Sequence, residues 1–150
     1  MSKQKAKGTA FETACVNYLR DRLQDERIDR RAMHGNRDLG DVYGIRAHGF
    51  EGICECKDYR KWGPADLAKW QKQTIDERCN SDSDFALLVV HKQGVGKKRF
   101  GLNDCYMQVR DLVRVMGGEF RCIAGESAMD VWVRVTLEVA CQMIEGVYGD

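Results

Sequence analysis

The sequence predicts one α/β domain, spanning residues 1–150, in which a central mixed β-sheet is flanked by helices. Three observations indicate this class. A segment near the N-terminus carries apolar residues at helical spacing, two short strand-like segments follow it, and a continuous apolar run comes after a second helical segment. The length of 150 residues is typical of a single compact domain.

A first helix is predicted over residues 9–23, because its apolar side chains fall on one broad face at about 100° per residue. These side chains belong to Phe11, Ala14, Cys15, Tyr18, Leu19 and Leu23. Residues 41–46 and 51–59 are predicted to be two strands of a hairpin around the three-residue loop 47–49.

The rest of the chain continues the alternation of helices and strands. Asp66 is placed to begin a helix that runs to about residue 79, and the apolar run 85–90 is typical of a central buried strand. Two strand-like segments, 104–109 and 130–135, are followed by amphipathic stretches, 112–116 and 137–144. A core of about residues 8–92 is therefore expected to be followed by strand and helix elements within 100–148.

The composition excludes several classes of protein. Hydrophobic residues make up 43% of the chain and there is one proline, which argues against disorder and collagen-like repeats. No run of eighteen apolar residues and no apolar leader occurs, so we expect a soluble, cytoplasmic protein. The seven cysteines are odd in number and include no C-x2-C pair, which favours reduced thiols over a disulfide scaffold or a structural zinc site.

The net charge of +1 conceals an uneven distribution of charge. Residues 1–37 carry nine basic against five acidic side chains, and residues 91–110 carry five against one. Residues 111–150 carry three basic against seven acidic side chains. The basic segments could meet a polyanion, although ordinary solvated charge is the commoner explanation for any single run.

The most informative residues lie on the two arms of the predicted hairpin. With a three-residue loop, paired residues have numbers that sum to 96, so Asp41 and Glu55 face each other with Cβ atoms about 4.5 to 5.5 Å apart. Lys57 projects from the same face as Glu55, whereas Cys54 and Cys56 point to the opposite face, into the core.

Two opposed carboxylates destabilise a sheet unless a positive group lies between them. Mg²⁺ would suit this pair, and Lys57 would position a water that attacks a phosphodiester. The alternative is a solvated polar stripe on an exposed sheet face. Glu12 falls inside the apolar arc of the first helix and is a third candidate acid. The motif Thr9-x-x-Glu12 also fits a capping box, and both interpretations of Glu12 stay open.

Three segments resemble the PD-(D/E)xK nuclease superfamily, and within it the Holliday junction resolvases of the archaeal and phage type. They are KGTAFE at 7–12, GDV at 40–42 and ICECK at 53–57, and the similarity covers about residues 5–92. The resemblance implies a restriction-endonuclease-like fold and a metal-dependent endonuclease that uses Mg²⁺, with Mn²⁺ as a substitute, and no nucleotide cofactor.

The resemblance also implies the roles of single residues. Glu12, Asp41, Glu55 and Lys57 would be catalytic, and the three acids would hold the metal in a site that also includes Cys56. Gly40 stands where the family often has proline, and we expect this change to be minor because both residues end a turn. Some relatives place a glutamine on the helix after the E-x-K strand, and both Gln71 and Gln73 are available.

The implied substrate is branched DNA, the four-way junction of recombination and repair, cut symmetrically by a homodimer to leave 5′-phosphates. A phage-encoded protein of this kind would act in the host cytoplasm. One alternative is a restriction-like or repair nuclease acting on linear or damaged duplex, and a second is a DNA-binding module without activity. Apolar positions in the last forty residues could form a dimer face or complete the core: Trp132, Val133, Leu137, Met143, Ile144, Val147 and Tyr148.

The predicted DNA contacts are mostly to phosphates, because recognition of a branched structure depends on shape and charge. The candidate residues are Lys3, Lys5, Lys7, Arg30, Arg31, His34, Asn36, Arg37, Arg60, Lys61, Lys97, Lys98 and Arg99. The stretch 34–37 is the best of them because it leads directly to Asp41. Trp62 could stack on an unpaired base, although a partly buried core aromatic is the simpler expectation.

Overall fold

The computed structural model of the chain describes residues 2–32, 38–118 and 128–146. Its elements, in chain order, are α1 (Lys3–Leu23), β1 (Asp29–Arg30), β2 (Val42–Ala47), β3 (Phe50–Lys57), α2 (Pro64–Asn80), β4 (Phe85–Val90), β5 (Asp104–Gln108), α3 (Val109–Val115), β6 (Trp132–Thr136) and α4 (Leu137–Glu145). Short 3₁₀ helices lie at Lys97–Leu102 and Ala128–Asp130.

The six strands form one mixed sheet in the order β1-β2-β3-β4-β5-β6. Strands β3 and β4 are parallel and are joined by α2, whereas every other neighbouring pair is antiparallel. All six residues of β4 are buried, as the apolar run predicts. The prediction of an α/β domain with a mixed sheet and flanking helices is therefore confirmed.

Helix α1 begins six residues earlier than predicted. The Ser2 side chain caps it by accepting a hydrogen bond of 3.1 Å from the Lys5 amide. Thr9 consequently lies inside the helix, where its carbonyl accepts a bond from the Thr13 hydroxyl. The capping-box interpretation of Glu12 is therefore wrong, because Thr9 is not the first residue of the helix.

The hairpin turn differs from the prediction, yet the register at its far end does not. The turn contains two residues, His48 and Gly49, both with positive φ, and the pair Ala47–Phe50 closes it. A register shift between Val42 and Ile45 then adds one residue to β2, and Gly44 adopts a φ of 84° within it. Val42 pairs with Cys54, so the predicted sum of 96 holds beside Asp41.

The core lies on both faces of the sheet. The larger cluster packs α1 and α4 against the strands and includes Phe11, Leu19 and Leu137. The smaller one lies under Trp70 of α2, and Trp62 packs against it, with ring centroids 5.5 Å apart. Within the described residues, no helix is long and apolar enough to cross a membrane.

The proposed dimer face is largely used inside the domain. Leu137 and Ile144 are buried in the larger core cluster, and Val133 packs partly buried against it. Trp132 packs partly buried against the smaller cluster, and Met143 is also partly buried. Val147 and Tyr148 lie outside the described residues. The dimer accordingly stays a prediction.

Candidate functional site

A cleft of about 690 Å³ opens between the first half of α1, the approach to β2, and the end of β3. Glu12, Asp41, Glu55 and Lys57 all line it. These four residues come from three separate segments of the chain, so the fold brings together the whole set predicted to be catalytic.

Asp41 is held at the edge of the hairpin by backbone contacts. Its amide donates to the Cys54 carbonyl at 3.1 Å, and its Oδ2 accepts a 2.8 Å hydrogen bond from the Cys56 amide. The Cys56 thiol lies on the core side with Cys54, and the two Sγ atoms are 3.9 Å apart. Cys56 therefore borders the cleft with its backbone and offers no thiol to a metal there.

The acidic side chains form a row that is longer than predicted. Glu12 contacts Asp41, and Asp41 contacts Glu55. On the other side of Glu55 the row continues to Glu77 of α2 and from there to Asp38. Carboxyl oxygens of these last three residues all lie within 4.8 Å of one another. Among the described residues, the predicted trio Glu12, Asp41 and Glu55 does not form a group as close as this.

Burial and mutual repulsion raise the pKa values of most of these acids. Burial, with Glu55 next to it, raises the pKa of Asp41 to about 9. Burial also raises the pKa of Glu55 well above its usual range, and Glu77 adds to the rise. Burial and Asp41 raise the pKa of Glu12 against the opposing effect of Arg30. In the absence of a cation, burial and mutual repulsion therefore favour the protonated forms of these carboxyls.

Lys57 connects Glu55 to helix α2. Its Nζ lies 3.6 Å from Oε1 of Glu55 and donates a 2.9 Å hydrogen bond to Oε1 of Gln73. The Gln73 amide in turn donates to Oδ2 of Asp38 at 3.1 Å. Of the two candidate glutamines, Gln73 lines the cleft and Gln71 does not.

Gly40 is not equivalent to proline in this chain, so that prediction is wrong. Its φ is 92°, whereas the proline ring fixes φ near −65°. A Cβ atom at this position would also lie 2.9 Å from Cδ1 of Ile53. The approach to Asp41 therefore depends on glycine.

The basic residues proposed to contact DNA are distributed around the domain. Lys5, Arg30 and Arg31 line the cleft, and Arg30 also forms a 2.9 Å ion pair with Glu12. Lys7 pairs with the buried Asp58 at 3.3 Å. The remaining described candidates are exposed: Lys3, Arg60, Lys61, Lys97, Lys98 and Arg99. His34, Asn36 and Arg37 lie outside the described residues.

Three features of the site were not predicted from the sequence: Asp38, Glu77 and a cluster of thiols. Glu77 shares the buried face of α2 with Trp70 and Thr74, so the spacing that indicated Glu12 would also have found it. Behind β3, the thiols of Cys15, Cys54 and Cys56 come within 4.8 Å of one another in the core. The described cysteines are all free thiols, in agreement with the expectation from composition.

Comparison of the chain with protein-family models, with curated proteins and with solved structures yields no match. The resemblance to the PD-(D/E)xK nucleases thus depends on the three sequence segments and stays a prediction.

Proposed function

We propose that this protein is a Mg²⁺-dependent endonuclease that resolves four-way DNA junctions. The observation that carries the proposal is the meeting of Glu12, Asp41, Glu55 and Lys57 in one open cleft. An acid pair beside an ammonium group is a suitable arrangement for metal-assisted hydrolysis of a phosphodiester.

The donor set of the cleft fits a hard divalent cation. Glu55 is 3% exposed, and its Oε2 has no hydrogen-bond partner in the described part of the chain. An unpartnered buried carboxylate oxygen is costly unless a cation or a proton compensates it. Oxygen ligands of this kind suit Mg²⁺ and Mn²⁺, so Asp41 and Glu55, with Glu12, would hold the ion.

When bound, Mg²⁺ would polarise the scissile phosphate and lower the pKa of a coordinated water. The chain supplies the positioning. Gln73 holds the Lys57 ammonium beside Glu55, where it would orient the attacking water and offset the charge that develops on the phosphate. Attack of the water oxygen on phosphorus breaks the bond to the 3′ oxygen, which leaves with a proton as a hydroxyl, and a 5′-phosphate remains.

The surroundings of the cleft support a polyanionic substrate. Lys5 and Arg31 line it without an ion pair to the row of acids, and the Arg31 guanidinium lies 4.9 Å from the centre of the Tyr43 ring. Exposed Arg60 and Lys61 directly follow Tyr59, which also lines the cleft. These cations would contact phosphates on both sides of the scissile bond. Symmetric incision of a junction needs two such sites, which a homodimer would supply.

The test compares a synthetic four-way junction with a linear duplex of the same arm sequence, both in Mg²⁺. We expect paired nicks in opposite strands of the junction and little cutting of the duplex. Equal cutting of both substrates would instead assign the protein to the restriction-like or repair nucleases. Binding of the junction without cleavage would indicate a DNA-binding module and would contradict the proposal.

A further inference from the structure

The acids on the α2 side of Glu55 form a group of their own. Asp38 precedes β2, Glu55 lies on β3 and Glu77 on α2, and a carboxyl oxygen from each lies within 4.8 Å of the other two. An octahedral Mg²⁺ with oxygens at about 2.1 Å brings neighbouring ligands to about 3 Å and opposite ligands to about 4.2 Å. Movements of about an ångström or less would therefore allow the three oxygens to contact one ion.

A cluster of acids is common on protein surfaces, but two members of this one, Glu55 and Glu77, are buried. Glu77 is 0% exposed, and neither of its carboxyl oxygens has a hydrogen-bond partner among the described residues. Glu55 is 3% exposed, and its Oε2 also has no hydrogen-bond partner among the described residues. Three buried carboxyl oxygens without a donor from a neighbouring residue need either a proton or a cation, and a cation at this position would satisfy them together.

Among the described residues, the two cations that pair with the row of acids do not fill that position. The Lys57 ammonium pairs with the other oxygen of Glu55 and is held by Gln73, while Arg30 pairs with Glu12 at the opposite end of the row. If all five acids are ionised, these two cations leave three negative charges unmatched. One divalent ion at Asp41 would still leave a net negative charge in a largely buried environment.

We propose that Asp38, Glu55 and Glu77 form a second divalent-cation site, deeper than the first and sharing Glu55 with it. The inference deepens the proposed endonuclease function and rests on it for the role of the ion. Glu77 does not line the cleft, whereas Asp38 and Glu55 do, so the ion would enter past Asp38. Hydrogen bonds from Gln73 and Asn80 to Asp38 hold this residue against α2.

The ion in the deeper site would position Glu55 rather than contact DNA. It would neutralise Glu77 and keep Glu55 ionised for the first ion. All proposed ligands are oxygens, so the site would take Mg²⁺, Mn²⁺ or Ca²⁺ in preference to softer metals.

The experiment counts Mn²⁺ ions bound per chain, by calorimetry and by electron paramagnetic resonance of the free ion, in the absence of DNA. Wild type should bind two ions. Glu77→Gln and Asp38→Asn should each bind one, and Asp41→Asn should lose the other ion and keep the deeper one. The control is Asp76→Asn, which changes the exposed acid that precedes Glu77 in the chain and pairs with Lys72. This variant should still bind two Mn²⁺ ions.

Asp38 is exposed, so Asp38→Asn tests the site even if Glu77→Gln fails to fold. The inference is overturned if Asp38→Asn and a folded Glu77→Gln each bind two Mn²⁺ ions, as wild type is expected to do. The two proposals fail separately. If these variants lose one ion but wild type does not cleave the junction, the nuclease proposal is contradicted. If wild type cleaves the junction but the variants bind as many ions as wild type, the deeper site is contradicted.

Discussion

Replacing Glu77 with glutamine should stabilise the metal-free protein at alkaline pH. Burial, together with the neighbouring Asp38, raises the pKa of Glu77 from 4.5 to about 8. A raised pKa means that the folded state binds the proton more tightly than the unfolded state. The stability that this proton contributes is present below about pH 4.5 and is lost as the pH rises to about 8.

The size of the effect follows from the shift. A difference of about 3.5 pKa units corresponds to roughly 5 kcal/mol at about pH 9, and to less than about 1 kcal/mol at about pH 5. Glutamine removes the ionisation but leaves a buried amide that needs partners, which costs about 1 to 2 kcal/mol. Glu77→Gln should therefore gain about 3 kcal/mol at about pH 9 and should be equal to wild type, or less stable by up to about 1 kcal/mol, at about pH 5.

The assay is urea unfolding in EDTA at the two pH values, followed by tryptophan fluorescence. The control is Asp76→Asn, whose side chain is 58% exposed, and it should change the free energy of unfolding by less than about 0.5 kcal/mol. Saturating Mn²⁺ should reduce the advantage of Glu77→Gln, because the ion stabilises the wild-type acids. A Glu77→Gln protein that is no more stable than wild type at about pH 9 in EDTA would refute this reasoning.

Three further outcomes are expected. Glu55→Gln should bind the junction like wild type in a mobility-shift assay but should not cleave it. Retained cleavage would show that Glu55 is not catalytic. A variant that circular dichroism shows to be unfolded would indicate a structural role for Glu55. Gly40→Pro should lower the free energy of unfolding by about 2 kcal/mol or more, because proline cannot adopt the Gly40 φ of 92° and lacks the amide that donates to Asp38. The control is Gly63→Ala, which should leave this free energy unchanged because a Cβ there would meet no atom within 4 Å. Arg31→Ala should weaken junction binding and reduce the slope of log affinity against log salt by up to about one; an unchanged slope would exclude a phosphate contact there.

Most of the fold follows from local patterns in the sequence. The apolar spacing in α1 and the apolar run of β4 are strong signals because burial alone determines them. Strand β1 was not predicted, since its two exposed residues have no pattern of their own and are ordered by pairing with β2. Helix α1 begins six residues before the predicted start, because apolar spacing does not mark its exposed first turns; Gly8 lies within the helix, where a Cβ would meet no atom within 4 Å.

The candidate site was predictable in part. Glu12, Asp41, Glu55 and Lys57 follow from residue type, spacing and resemblance, and the register at Asp41 agrees although the turn does not. The two-residue turn and the register shift near Gly44 compensate each other, and such backbone detail depends on tertiary contacts. Gly40 shows the same limit, because its positive φ is set by the path of the chain and not by the motif.

The most direct test of the central claim is cleavage of a four-way junction by wild type and Asp41→Asn, each with Mg²⁺ and with EDTA. Asparagine keeps an oxygen that can accept from the Cys56 amide but removes the negative charge at the proposed metal. We predict that wild type cleaves only with Mg²⁺, and that Asp41→Asn binds the junction while cleaving it at least about 100-fold more slowly. Cleavage by Asp41→Asn at the wild-type rate, or wild-type cleavage that persists in EDTA, would contradict the proposed centre.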